Sequence, residues 1–322
     1  MGRVLVSASH FDTLCQEAWK LLEENGHEVV YDPARAFPAY GTEELRTLLP
    51  EIDAAIIGLD QYNEEVLSIS PRLKIVSKFG VGVDNIDLDA ARERRICATN
   101  APGCNANGVA ELTVALIVDL LRGVVRTHTD LTMGQWNRPI DKELKGKTLG
   151  LLGFGAIGKL VAKKLSGWDV RILAYDPRMD HAAAENLQVT VCGTAEEVIT
   201  ECNILSLHFP ATAENYHMFD QEKFASMKQG AYFINCARGT LMDLDALCAA
   251  LKSGQLAGAA IDAFEMEPLP KDAEIFSCGN VVCLPHIGAE TEDAYRNVSM
   301  CVAQDVIRVL RGEPPHCWAN PW

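Results

Sequence analysis

The stretch "VVCLPHIG" sets His286 just past an apolar run, after Pro285 and shortly before Gly288. An imidazole there is either an acid/base group or a polar cap on a buried strand, and its neighbours decide which. Two other apolar runs end in the same way. "FINCARGTLMD" puts Arg238 just beyond one of them, and "AAIDAFEMEP" puts Asp262 at the end of another with Glu267 in the loop behind it. Ligands of an open parallel sheet sit beyond the carboxyl ends of its strands. An arginine, a glutamate and a histidine gathered there add little to a core, but together they can bind an anion and move a proton.

A second pattern, "KTLGLLGFGAIGKLVAKKL" (147–165), points to the group such a site would use. Gly153, Gly155 and Gly158 form G-x-G-x-x-G after an apolar strand and at the start of a helix. Gly153 allows the tight turn, Gly155 lets backbone approach a pyrophosphate, and Gly158 lets helix and strand pack closely. Asp176, in "RILAYDPR" at the end of the next strand, is placed to accept hydrogen bonds from ribose hydroxyls and to repel a 2′-phosphate. That predicts NAD, with Arg178 nearby leaving room for some NADP. The same glycines do not make a kinase-type phosphate loop, because Leu160 stands where a magnesium-binding Ser or Thr belongs.

The elements that must position these residues alternate between short β-branched runs and helical stretches, the pattern of parallel α/β layers. "RVLVSA", "HEVVYD", "DAAIIG", "KIVSKF" and "ICATN" read as strands of a first series, with helices over 12–25, 42–50 and 87–94. "NAPG" (100–103) breaks the pattern, and a long apolar helix starts near Asn107. From Lys147 a second series predicts six strands, "KTLGLLG", "VRILAYD", "NILSLHF", "AYFINCA", "GAAIDAF" and "NVVCLPH", which make a complete doubly wound sheet. A last helix over 292–311 is then expected back on the first domain. The boundaries are 1–101 plus 291–322 for the first domain and 102–290 for the dinucleotide-binding domain.

At 322 residues, 48% hydrophobic and 23% charged, the chain has material for two cores and is not disordered. A formal charge of −15 argues against a nucleic-acid groove, which needs clustered Lys and Arg. "LTVALIVDLL" (112–121) is too short to span a membrane and carries Asp119, so no membrane partner is expected. "MGRVLVSA" reads as a strand rather than a signal peptide. The eleven cysteines lie singly with no metal-ligand spacing, which suits a reducing cytoplasm and predicts no metal.

Beyond the glycine turn, the motifs "KFGVGVDNIDLDAA", "TNAPGCNANGVAELT", "LKGKTLGLLGFGAIGK", "NCARGTLMD", "AAIDAFEMEP" and "LPHIGAET" make the chain resemble the NAD-dependent D-2-hydroxyacid dehydrogenases over nearly its whole length. It is most similar to their phosphoglycerate dehydrogenase branch, in a short form with no C-terminal regulatory domain. The resemblance implies a flavodoxin-like substrate domain and a Rossmann NAD-binding domain, with the active site in the cleft between them. It makes His286 the general acid/base, Glu267 the partner that orients the imidazole, and Arg238 the grip on the substrate carboxylate. Asp262 would reach the carboxamide end of the cofactor. Ala156, Ile157, Phe209, Cys236, Ala237 and Gly288 fall at cofactor-binding positions, and Val81, Gly82 and Lys78 at substrate-binding ones.

The resemblance also implies a homodimer in which 124–146 is the arm and Trp136 is buried between subunits. It leaves the far end of the substrate open. The loop "IIGLDQYN" (56–63) carries no cation where phosphoglycerate enzymes tend to place an arginine, so a small 2-oxoacid is expected ahead of a phosphorylated one. The remaining alternatives are phosphoglycerate dehydrogenase proper, with Arg138 of a partner subunit completing a phosphate site, a phosphite- or formate-type dehydrogenase, and an NAD-sensing corepressor-like scaffold.

Overall fold

The computed structural model describes residues 2–34 and 39–322. It divides into two compact units, Met1–Asn105 with Ala289–Trp322, and Ala106–Gly288.

The first unit is a five-stranded parallel sheet of β1 Arg3–Val6, β2 Glu28–Tyr31, β3 Ala54–Ile57, β4 Ile75–Lys78 and β5 Cys97–Thr99. Its order is β2-β1-β3-β4-β5, the flavodoxin-like arrangement. Every residue of β3 is buried, as expected of a central strand covered by helices on both faces. The closing helix Glu292–Leu310 returns to this unit, capped by Thr291, whose hydroxyl accepts the Ala294 N–H. Tyr295, Val298, Val302 and Val306 recur at helical spacing and pack with Val4, Val6, Phe11 and Ile56.

The tail then closes the open edge of β5. Ala319 N–H donates to the Ala98 carbonyl at 2.8 Å. The fully buried Asn320 accepts from the Ala98 N–H and donates to the Ile96 carbonyl. An edge paired in this way is protected from pairing with another chain. The helix expected over 12–25 is in fact two, Phe11–Leu14 and Gln16–Glu24, broken at Cys15, whose backbone is not helical.

The second unit holds β6 Thr148–Leu152, β7 Arg171–Tyr175, β8 Thr190–Val191, β9 Ile204–Leu207, β10 Ala231–Asn235, β11 Leu256–Ile261 and β12 Val281–Cys283. All pair in parallel, in the order β12-β11-β10-β9-β6-β7-β8. The six strands expected here are therefore seven. The missed one, β8, is two exposed residues at the edge, too short to carry any periodicity. The chain runs outward from β6 to β8 and then crosses back to β9, so the sheet's switch point lies between β6 and β9, where such sheets bind nucleotides. The helix Ala106–Arg122 belongs to this unit and packs Ala110, Ile117 and Leu121 with Leu149, Leu151 and Val161. The helix Val124–Thr132 that follows it has no buried residue.

Candidate active site

The dinucleotide turn leaves β6 at the switch point. Gly153 has φ +93°, and a Cβ there would stand 2.4 Å from the His208 carbonyl oxygen in the loop after β9. A Cβ on Gly158 would meet the Gly153 carbonyl at 2.3 Å. These two glycines let the turn, its helix and the neighbouring loop close on one another. Gly155 differs, because a Cβ there would meet nothing within 4 Å. It caps the helix Ala156–Lys164, so the space beside it faces the positive end of the helix, a cradle that suits a pyrophosphate. Ala156 and Ile157 form the first turn of that helix.

Asp176 lies at the end of β7, with Oδ2 accepting the Phe154 N–H at 2.8 Å and Oδ1 accepting the Arg178 N–H at 2.7 Å. The acid thus ties the glycine turn to its own loop, and each oxygen keeps a lone pair for a ribose hydroxyl. The residues present fit a dinucleotide.

Sequence reasoning passed over His208, which lies beneath this turn next to Phe209. Its Nε2 is 2.9 Å from the Ser206 hydroxyl, and its Nδ1 is buried with no hydrogen-bond partner among the described residues. Burial pushes its pKa down to about 4, so the ring is neutral under the turn.

Three adjacent strands, β10, β11 and β12, carry the acid/base residues on the loops that follow them. After β10, the fully buried Asn235 accepts the Ala237 N–H at 3.0 Å and donates to the Arg238 carbonyl at 2.8 Å. It fixes the turn Cys236–Arg238, a duty sequence reasoning also missed. Arg238 Nη1 donates to the Ala237 carbonyl. A Cβ on Gly239 would lie 2.0 Å from the Phe264 carbonyl carbon, so only glycine lets the Arg238 turn close on the loop after β11.

That loop presents Glu267. Its Oε1 accepts the Phe264 N–H at 2.8 Å, and both its oxygens contact His286 Nδ1, at 3.1 and 2.9 Å. Burial alone would raise the Glu267 carboxyl, but the hydrogen bonds from His286 and Phe264, with the positive Arg238, hold it below the usual range. The bond to Glu267 raises His286 above the ordinary imidazole value, against burial and the positive Arg238, which lower it. Because Nδ1 is engaged, Nε2 is the nitrogen left to exchange a proton.

His286 has φ +57°, in the left-handed region that non-glycine residues seldom occupy. Asp262 holds it there. This carboxylate is 2% exposed, and its two oxygens accept the Ile287 and Gly288 N–H groups at 2.8 Å each. Burial raises its pKa, against those two bonds. Asp262 is thus buried, takes one N–H on each oxygen and anchors the His286 loop. The Gly288 N–H is taken by Asp262, and a Cβ on Gly288 would stand 3.0 Å from that carboxylate. Its smallness serves packing.

Lys78, Val81 and Gly82 lie in the first unit. Lys78 ends β4, and its ammonium donates to the Gly58 carbonyl. Asn85 binds the same carbonyl and that of Asp60, so both side chains secure the loop after β3. Asp60 itself is buried, taking the Tyr40 N–H and the Ser7 hydroxyl. Arg138 is exposed in the segment after Val124–Thr132. Among the described residues no cluster of His, Cys, Asp or Glu could hold a metal ion, and no helix is long and apolar enough to cross a membrane.

The chain is similar to known proteins. Residues 114–288 match the family described as D-isomer specific 2-hydroxyacid dehydrogenase, NAD binding domain. A glyoxylate reductase of Thermofilum pendens is 38% identical over 302 residues, which cover 91% of this chain and 88% of its own. A D-3-phosphoglycerate dehydrogenase of Methanocaldococcus jannaschii is 37% identical over 316 residues, covering 97% of this chain but 58% of its own. The crystal structure of an NAD+-bound 3-phosphoglycerate dehydrogenase of Entamoeba histolytica is similar at a TM-score of 0.84 and 26% identity, covering 100% of this chain and 99% of that one.

Asp262→Asn tests the anchor. An amide can accept one of the two N–H groups but turns its own N–H₂ toward the other, so one charge-assisted bond is lost, about 1.5–3 kcal/mol. The expected result is a Tm lower by roughly 5 °C and kcat lower by about tenfold or more, as His286 leaves its geometry. Wild-type kcat in this variant would show that the loop does not need the carboxylate.

Proposed function

The chain belongs to the D-isomer specific 2-hydroxyacid dehydrogenase family, and from that premise we propose which residues perform its chemistry and on which substrate. The enzyme is NAD-dependent and transfers a hydride between NAD(H) and C2 of a 2-hydroxy or 2-oxo acid. The observation that carries the assignment is the contact of Glu267 with His286 Nδ1 at 2.9 Å, on a loop packed against the Arg238 turn. In reduction, Arg238 holds the substrate carboxylate and polarises the C2 carbonyl through its planar donor fork. Bound NADH supplies the hydride to C2. His286, charged and oriented by Glu267, gives its Nε2 proton to the oxygen as the alkoxide develops. In oxidation the same nitrogen takes that proton back.

The cofactor is held by the Gly153–Gly158 turn, Asp176 and the Phe209 and Cys236–Ala237 loops. The preferred substrate is a small 2-oxoacid without a phosphate. The 56–63 loop brings no cation, its Asp60 is buried, and Lys78 is drawn to the Gly58 carbonyl. The similarity to glyoxylate reductases supports this reading. The cytoplasm is its proposed location, since all eleven cysteines are free thiols.

Turnover of glyoxylate, hydroxypyruvate, pyruvate and 3-phosphohydroxypyruvate with NADH tests the substrate, and His286→Ala tests the mechanism. The expected order places an unphosphorylated acid first in kcat/KM, with kcat reduced about 10²–10⁴-fold in the variant. A preference for the phosphorylated acid contradicts the substrate reading, and full activity of His286→Ala contradicts the acid/base assignment.

We further propose a homodimer built on the segment after Gly123. Leu131, Met133, Trp136 and Ile140 are 54%, 62%, 81% and 101% exposed, an apolar run that isolated soluble chains seldom leave in water. Light scattering at micromolar concentration should give the mass of two chains, with Trp136→Glu shifting it toward one; a wild-type monomer contradicts the dimer.

A further inference from the structure

A second carboxylate stands two residues before Glu267 and serves no step of the proposed reaction. Glu265 Oε1 accepts the Tyr216 hydroxyl at 2.8 Å, and its Oε2 lies 2.8 Å from His217 Nε2. The two rings are stacked, with centroids 4.0 Å apart and planes inclined by 13°. Consecutive residues reach that arrangement here with His217 at φ +49°, again in the left-handed region. Tyr216 is 53% exposed, so burial of apolar surface does not account for the strained backbone.

The backbone around the three residues shows what they join. His217 N–H donates to the Thr240 carbonyl, and Phe219 N–H to the Leu241 carbonyl. The segment bearing Tyr216 and His217 is thereby laced to the residues just after Arg238. On its other side the Arg238 turn touches Phe264 and Glu265 through the bare Gly239. Three segments therefore meet: the one leaving β9, the Arg238 turn and the Glu267 loop. Glu265 is the side chain that ties the first to the third.

We propose that Tyr216, His217 and Glu265 form a clamp that holds the Glu267 loop against the Arg238 turn, making them positioning residues for the Glu267–His286 pair. The proposal rests on the acid/base reading given above. An exposed hydrogen bond contributes little to global stability, so the clamp acts on placement. Carboxylate and imidazole stay in register only while the 264–267 backbone holds its place, and a small displacement weakens the contact that keeps His286 charged. Hydrogen bonds from His217 and Tyr216 hold the Glu265 carboxyl below its usual range, so the clamp is engaged at neutral pH. The titratable and charged groups facing His286 are Glu267, Asp262 and Arg238; those facing Glu265 are His217, Tyr216 and Asp243.

The sign of the effect follows from the role of His286. In reduction the imidazolium donates the proton, so kcat/KM falls as pH rises through its raised pKa. A loosened clamp lowers that pKa and moves the alkaline limb to lower pH. Glu265→Gln and the charge-neutral Tyr216→Phe are compared with wild type in steady-state reduction of the best 2-oxoacid, and the His286 pKa is read directly by histidine NMR titration. For Glu265→Gln the expected result is kcat about tenfold lower, KM for NADH within about twofold, and the limb and the NMR pKa about half a unit or more lower. Tyr216→Phe moves both the same way by less, and its unchanged charge separates placement from a distant field.

A lowered Tm with unmoved limb and unmoved His286 pKa in both variants overturns the clamp. If wild type turns over no 2-oxoacid, the reaction reading fails by itself, and the NMR comparison still decides whether the clamp sets His286.

Discussion

A carboxylate that is 2% exposed, Asp262, accepts two backbone N–H groups and thereby holds the loop after β12 in a left-handed bend at His286. Removing a charge from water is costly, and a non-glycine residue in that bend adds about 1–3 kcal/mol of strain. Two charge-assisted hydrogen bonds offset part of this, and the rest is borne by the packing of the sheet beneath. The bend aims the imidazole at Glu267 rather than along the strand direction. Without it the histidine would be another polar residue at a strand end.

The sheet explains why the other participants are within reach. Arg238 follows β10, Glu267 follows β11 and His286 follows β12, and these three strands are adjacent and parallel. Their carboxyl ends therefore emerge side by side. The same edge continues through β9 to β6, so the His208 loop and the glycine turn complete one line of loops across five neighbouring strands. Glycines let these loops approach one another: Gly153 against His208, Gly158 against Gly153, and Gly239 against Phe264. Each contact excludes a Cβ, so the fingerprint that reads as cofactor recognition is also a record of backbone packing.

Much of this was legible in the sequence. The glycine spacing, the strand-to-helix alternation and the placement of Arg238, Glu267 and His286 at strand ends all follow from local pattern, and the structure puts Glu267 against His286 Nδ1. What escaped depends on partners distant in sequence. Nothing near Asp262 says that its oxygens go to residues 25 and 26 positions later. Asn235 looks like an ordinary strand residue until its side chain is seen bracketing the Arg238 turn. Tyr216 and His217 lie about 49 residues from Glu265, and no periodicity links them. The strand β8 was missed for a different reason, since two exposed residues hold no pattern. Lys78 likewise has a partner that its own neighbourhood in the sequence does not announce, the Gly58 carbonyl 20 residues earlier.

The central claim is that Glu267 keeps His286 charged and oriented. Its most direct test is the pKa of the His286 imidazole, read by histidine NMR in wild type and in Glu267→Gln. The account predicts a value above the ordinary imidazole figure of about 6.5 in wild type and a fall of about one unit or more in the variant. The same value in both proteins, or a wild-type value below 6.5, would contradict it.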